Sequence, residues 1–190
     1  MRESNSIIKI GLILFLITAI SAALLAFVNG KTAPLIEKNS IAKEQDALKA
    51  VMSEAAEFEE TTVDTNTGAL KKVFLAKDAD GKSIGVCVIT ETTGYDVGIQ
   101  TVTGVDADLK VTGVEIISMN ETPGLGAKAA DDSFKSQYKG KSGEIGVAKS
   151  APSDAEIQAI SGATKTSNGV TNGVNAAIKA AQILLEGGNE

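Results

Sequence analysis

The chain of 190 residues has no histidine, no tryptophan, one cysteine (Cys87) and one arginine (Arg2). Without histidine it lacks the commonest general base, the commonest transition-metal ligand and ligation of haem through imidazole. One cysteine excludes an internal disulfide, an iron–sulfur cluster and a cysteine-rich zinc site within a single chain. Acidic residues outnumber basic ones by 24 to 18, for a net charge of −6. That balance argues against nucleic acid as a partner, because phosphate backbones are bound by clustered Lys and Arg. Aromatics are only 4% of residues. Any redox role therefore needs an imported cofactor, since the side chains supply almost no redox chemistry themselves. The length suits one modest domain with appendages.

What the chain does have begins with an apolar run. Between Ile10 and Val28 no charge occurs, and at 1.5 Å per residue that stretch covers roughly 28 Å, about one hydrocarbon core. A cleavable signal peptide is the competing reading. Its apolar region is usually ~7–15 residues, shorter than this run, and Val28-Asn29-Gly30 is a weak cleavage site. Residues 1–30 are thus expected to be a retained transmembrane anchor. Arg2 and Lys9 before the span, against Lys31, Lys38 and Lys43 after it, lean toward an N-terminus inside. Residues 31–58 are polar with a loose apolar stripe of Leu35, Ile36, Ile41, Leu48, Val51 and Met52. With Pro34 in its first turn, this segment reads as a stalk helix. Residues 59–190 form the remaining domain, entered through a loop or short edge strand over Glu59 to Leu70.

The middle of the chain reads as β-structure built twice. Val73 to Ala76 and Ile84 to Ile89 flank a turn, and so do Ile99 to Val105 and Gly113 to Ile117. The turns match one another: Asp78-Ala79-Asp80-x-Lys82-x-x-Gly85-Val86 against Asp106-Ala107-Asp108-x-Lys110-x-x-Gly113-Val114. Calcium is a poor reading of these Asp-x-Asp turns, because Lys stands at a ligand position in both copies and no Glu closes an EF-hand loop. Turn chemistry accounts for the Asp residues. Alternation sends Cys87 to the face opposite Val86 and Val88, where a buried thiol behaves as a small apolar residue. The expected fold class is α+β: a transmembrane helix and stalk helix, then an antiparallel sheet of doubled hairpins packed with helices.

Two glycine-containing stretches carry the chemistry. Asn120-Glu121-Thr122-Pro123-Gly124-Leu125-Gly126-Ala127-Lys128 is a tight loop expected to lead into a helix over Ala129–Tyr138. After a surface loop with one short strand, Ile145 to Ala148, comes Ser161-Gly162-Ala163-Thr164-Lys165-Thr166-Ser167-Asn168-Gly169-Val170. A helix follows, with Val170, Val174, Ala177, Ile178, Ala181, Ile183, Leu184 and Leu185 on one face. Thr166 or Ser167 is placed to cap it. Thr164 then sits at a helix N-terminus, whose free N–H groups and partial positive charge suit a phosphate.

Ser161-Gly162-Ala163-Thr164 with the following Thr166-Ser167-Asn168-Gly169-Val170 resembles the flavinylation motif of the FMN-binding subunits of Rnf electron-transport complexes and their relatives in Na+-pumping NADH:quinone reductases. Glu121-Thr122-Pro123-Gly124-Leu125-Gly126 is similar to the second signature of that family, and Gly94-Tyr95 to a third, weaker one. The chain departs from the family at Gln158, where Asp is usual. The resemblance implies a covalent FMN, its phosphate esterified to Thr164 by a separate flavin transferase using FAD and Mg²⁺. It implies a pocket formed by Ser161, Gly162, Ala163, Lys165, Thr166, Glu121, Thr122, Gly124, Leu125 and Gly126, with Leu125 on the ring face. Lys165 is the first choice to balance the phosphate, ahead of Lys128 and Lys149. Tyr95 can either stack on the ring or pack as an ordinary strand-start tyrosine. No residue is expected to be catalytic and none to bind a metal. The implied role is a single-pass electron carrier in the cytoplasmic membrane, its flavin domain on the outer face. It would serve a ferredoxin:NAD+ oxidoreductase coupled to Na+ or H+ movement and meet that complex's other membrane subunits. Two alternatives stand beside it: the C-type component of the Na+-pumping quinone reductase, and a non-redox, membrane-tethered binding module.

Overall fold

The computed structural model describes residues 2–63 and 68–187, with side chains from Ile8 onward. Residues 64–67, part of the expected loop before the first hairpin, lie outside the described residues. The chain divides into two compact units, Met1–Ala42 and Lys43–Glu190.

The described residues of the first unit are all helical. Helix α1 runs Arg2–Val51, and every residue from 8 to 42 is exposed. An 18-residue window of it reaches a mean hydropathy of 2.7, long and apolar enough to cross a membrane. The hydroxyl of Thr18 donates to the carbonyl of Leu14 at 3.0 Å, which satisfies the polar group inside the apolar run. The sequence suggested a helix restarting at Pro34, but Pro34 lies inside α1. It removes one backbone donor. Two residues earlier, the Thr32 hydroxyl donates to the Val28 carbonyl at 3.0 Å. The helix also ends earlier than expected, at Val51 rather than residue 58, and the chain turns into β1 at Glu57.

The second unit is a five-stranded antiparallel meander, in the order β1 (Glu57–Thr61), β2 (Leu70–Lys77), β3 (Ser83–Thr93), β4 (Val97–Asp106), β5 (Val111–Ser118). The doubled hairpins are β2–β3 and β4–β5, and β3 pairs with β4 to join them. Both turns are closed by aspartate. Asp78 Oδ1 accepts from the amides of Asp80 and Lys82 at 3.0 and 2.9 Å, and Asp106 Oδ1 from those of Asp108 and Lys110 at 3.0 and 2.9 Å. This is turn chemistry of the Asx kind.

Alternation along β3 feeds two cores. Val86 and Val88 point to one face, where the last helix (Thr164–Glu186) lays down Val170, Val174, Ala177, Ile178 and Ala181. Cys87 and Ile89 point to the other, where they meet Ala47, Leu48, Val51 and Met52 from the end of α1. The α1 backbone can come this close because Gly104 and Gly113, cross-strand partners on β4 and β5, leave a notch. A Cβ at Gly104 would lie 2.8 Å from the Val51 carbonyl oxygen, and one at Gly113 would lie 3.1 Å from Val51 Cα. The Thr112 hydroxyl donates to that same Val51 carbonyl at 2.5 Å, capping the helix end.

The single helix expected over 129–138 is broken into three short pieces. A 3-10 turn spans Gly126–Ala130, one α-turn α2 spans Asp132–Lys135, and a second 3-10 turn spans Ser136–Tyr138. Asp131 in extended backbone separates the first two. The segment is held by Phe134 and Tyr138, buried edge to face at 5.7 Å. Two short parallel strands, β6 (Gly146–Ala148) and β7 (Glu156–Gln158), and the last helix, α3 (Thr164–Glu186), complete the unit.

Burial without a polar partner pushes the Cys87 thiol up to about 12. Reactivity resides in the thiolate, so Cys87 is expected to resist iodoacetamide at pH 8 in the folded protein and to be fully alkylated after denaturation. Mass analysis of native and unfolded samples checks this, and rapid native labelling would contradict it.

Candidate functional site

The two glycine-containing stretches, distant in sequence, meet beside the start of α3. They line a cleft of about 490 Å³ together with Tyr95, a size within the range of small-molecule sites. Its walls are Glu121, Thr122, Leu125 and Gly126 from one loop and Gly162, Ala163, Thr164, Lys165 and Thr166 from the other. Gly124 and Gly162 have φ of 78° and 77°, in the left-handed region. They fold the two loops, and a side chain at either position would be strained. Ser161 and Gly124 shape these loops without lining the cleft.

Helix α3 starts at Thr164, with Ala163 as N-cap and no side-chain cap. This corrects the expected capping by Thr166 or Ser167, because both hydroxyls are engaged elsewhere. Ser167 Oγ donates to the Ala163 carbonyl at 3.1 Å and accepts from the Ile160 amide at 3.0 Å. Thr166 Oγ1 donates to Glu121 Oε2 at 2.8 Å. The first backbone bond of the helix runs from the Ser167 amide to the Ala163 carbonyl. The amides of Thr164, Lys165 and Thr166 are therefore the donors that a helix N-terminus leaves over. An uncapped N-terminus bordering a cleft fits a phosphate group.

Three of the expected cofactor contacts line the cleft and also pack on one another. Glu121, only 8% exposed, is a tie between segments. Its Oε1 accepts from the amides of Tyr95 and Asp96 at 3.0 and 3.3 Å while Oε2 takes the Thr166 hydroxyl. Thr166 is 1% exposed, and Gly126 is buried against the same pair. Tyr95 is the reverse case. The packed strand-start reading fails, since its side chain is 75% exposed on the cleft rim, with Lys165 Nζ 5.9 Å from the ring centroid. Leu125 presents an exposed apolar surface to the cleft, as expected of a residue packing on a ring. Among the lysines considered, Lys165 lines the cleft, and Lys128 and Lys149 do not.

Gln158 lies away from the cleft. Its backbone is bracketed by the Gln137 amide, which accepts from the Gln158 N–H at 2.7 Å and donates to its carbonyl at 3.3 Å. The nearby Glu156 carboxyl is held below its ordinary range by the amide and hydroxyl of Ser153. Tyr138 is buried against α3, where its hydroxyl pairs with Thr171 at 2.7 Å. Burial raises its pKa and leaves it a packing residue. Among the described residues, no cluster of three or more acidic, His or Cys side chains is arranged to hold a metal ion.

No local signal announced the Glu121–Thr166 contact, since 45 residues separate the partners. The exposed Tyr95 had one available sign, its place directly after Gly94 at a strand turn.

Comparison with known proteins agrees with this geometry. Residues 94–179 match the family described as FMN-binding domain, and residues 1–51 match the RnfG N-terminal region. The chain is 39% identical over 194 aligned residues to the G component of the Na(+)-translocating ferredoxin:NAD(+) oxidoreductase complex of Acetobacterium woodii, covering 94% of this chain and 93% of that one. It is 34% identical to the proton-translocating counterpart of Clostridium ljungdahlii, with the same coverage. The likeness to the C component of the Na(+)-translocating NADH-quinone reductase of Pasteurella multocida, 41% identical, covers only 33% of this chain and 27% of that one. Two crystal structures of such C components share the fold. The one from Parabacteroides distasonis has a TM-score of 0.58 at 21% identity, over 77% of this chain and 92% of that one; the one from Shewanella oneidensis has 0.52 at 23%, over 72% of each. With its N-terminal helix, its FMN-binding region and near full-length likeness to both G components, the chain belongs to the RnfG family of Rnf-type ferredoxin:NAD+ oxidoreductase complexes.

Proposed function

We propose that this protein is the membrane-anchored FMN carrier of an ion-translocating ferredoxin:NAD+ oxidoreductase, with the cofactor esterified through its phosphate to Thr164. One observation carries the reading. Thr164 opens α3 at an uncapped N-terminus, half-buried in the wall of a cleft of cofactor size, with three amides left for an anion. Bound FMN supplies one- and two-electron chemistry that no side chain of this chain offers. The protein positions it. Leu125 and Tyr95 form apolar walls, the first-turn amides and Lys165 balance the phosphate, and the loops of Gly124 and Gly162 bring backbone close. A diester keeps about one negative charge, which a helix N-terminus and one Lys offset.

Attachment is the work of a separate flavin transferase with FAD as donor. Thr164 Oγ forms a bond to the flavin-side phosphorus as the pyrophosphate P–O bond breaks. AMP leaves with the bonding pair, the hydroxyl proton passes to a base of the transferase, and no electron is exchanged. The partners in electron transfer are the other membrane subunits of the complex. The helix from Ile8 onward anchors the chain, with the domain from Lys43 on the extracytoplasmic side.

The test is co-expression of the full chain with a flavin transferase. Denatured protein is expected to run as a flavin-fluorescent band, and protease added outside intact cells is expected to remove that band from the membrane. Colourless protein would refute the carrier role, and a band protected from outside protease would refute the orientation.

A further inference from the structure

We propose that Glu121 and Thr166 form a buried bolt in the cleft wall that positions Thr164 for attachment. The inference rests on the carrier reading above and concerns how that site is assembled. Three segments must converge for the cleft to exist: the Gly94–Asp96 turn, the loop of Thr122 to Gly126, and the first turn of α3. Glu121, directly before the second of them, is bonded to the other two. Its carboxyl takes the amides of Tyr95 and Asp96 on one oxygen and the Thr166 hydroxyl on the other.

The bolt has two consequences for the chemistry. It fixes the backbone two residues beyond Thr164, so the acceptor hydroxyl is held against the cleft; orientation of this kind is a large part of the advantage a positioned nucleophile has. It also withdraws the neighbouring threonine. Both threonines border the cleft, but Thr166 is 1% exposed with its proton already donated, while Thr164 is half-buried. The choice between two threonines so close in sequence is thereby made by the fold. The space around the bolt is closed. A Cβ on Gly126 would collide with Glu121 Oε2 and lie 2.7 Å from Thr166 Oγ1, and one on Gly94 would lie 2.5 Å from Glu121 Oε1.

The experiment follows the rate of flavin incorporation into the full-length chain, co-expressed in membranes with a flavin transferase, with a thermal melt of each variant as a control on folding. Thr166→Val removes the donor at constant shape and is expected to slow labelling about 10-fold, the scale of one broken buried hydrogen bond to a charged acceptor. Thr166→Ser keeps the hydroxyl and is expected to label within about twofold of wild type. Glu121→Leu, which also frees the amides of Tyr95 and Asp96, should be at least as slow as Thr166→Val, whereas Glu121→Gln, whose amide can still bridge, should lose far less. The double variant Glu121→Leu/Thr166→Val should be no slower than Glu121→Leu alone, because the bond lost in Thr166→Val is already lost there. If Thr166→Val labels as fast as Thr166→Ser, or if the two losses multiply, the bolt is refuted while the carrier reading stands. If wild type itself never takes up flavin, the carrier reading has failed and the bolt falls with it.

Discussion

Replacing Thr164 with alanine is expected to leave a folded, membrane-bound protein with no covalent flavin, the fluorescent band falling to background. The effect should be all or none, because an ester needs an oxygen and the cleft offers few substitutes. Thr166 is bonded to Glu121 and 1% exposed. Ser161 is exposed and does not line the cleft, and Thr122 stands on the opposing loop. Thr164→Ser, which keeps a hydroxyl at the same atom, should retain the label. Stability should hardly change in Thr164→Ala. Thr164 is half-buried, and Ala163, not Thr164, is the residue at the cap. A band that survives in the alanine variant would move the attachment elsewhere.

The second large effect concerns where the domain begins. A chain starting at residue 59 is expected to aggregate, and one starting at Lys43 to fold as a soluble, cooperatively melting domain. The shorter chain lacks Ala47, Leu48, Val51 and Met52, which cover Phe74, Cys87, Ile89 and Val102 on the second face of the sheet. Losing Leu48, Val51 and Met52 forfeits about 1.5–3 kcal/mol each. The sum approaches the ~5–15 kcal/mol by which a whole domain is stable, and it bares the notch at Gly104 and Gly113. The ion pair between Lys72 and Glu44, 2.8 Å apart, would go too, but an exposed pair adds little. Solubility and circular-dichroism melts of the two truncated chains decide the matter, and equal melting temperatures would overturn the assignment of α1's last turns to this core.

The sequence exposed what is local. The repeat of Asp78 to Val86 in Asp106 to Val114 reports two hairpins, because a turn aspartate and a period of two are short-range facts, and both hairpins are present. The face chosen by Cys87 follows from the same alternation. The apolar stripe of α3 identifies the helix, and Val170, Val174, Ala177, Ile178 and Ala181 bury in the core while Ile183 is exposed. What sequence concealed is set by distant contacts. The end of α1 is fixed by a notch in strands far along the chain, at Gly104 and Gly113, so helix propensity alone ran it on to residue 58. The segment 126–138 has helical composition, yet burying Phe134 and Tyr138 together breaks it into turns. Thr166 looked like a cap because its type and place are right for one. Glu121 claims it instead, and the unclaimed N-terminus is what remains for an anion. The stretches quoted for the cofactor do meet at one cleft, where Glu121 and Thr166 are also bonded to each other.

The central claim is the bond at Thr164, and peptide mapping tests it most directly. Trypsin cutting after Lys149 and Lys165 yields Ser150–Lys165, in which Thr164 is the only threonine, and places Thr166 in the next peptide, Thr166–Lys179. Protein purified from membranes containing the transferase should yield Ser150–Lys165 heavier by FMN less one water, with fragmentation assigning the added mass to Thr164, and Thr166–Lys179 unmodified. FMN on Thr166–Lys179, or on neither peptide, would contradict the account.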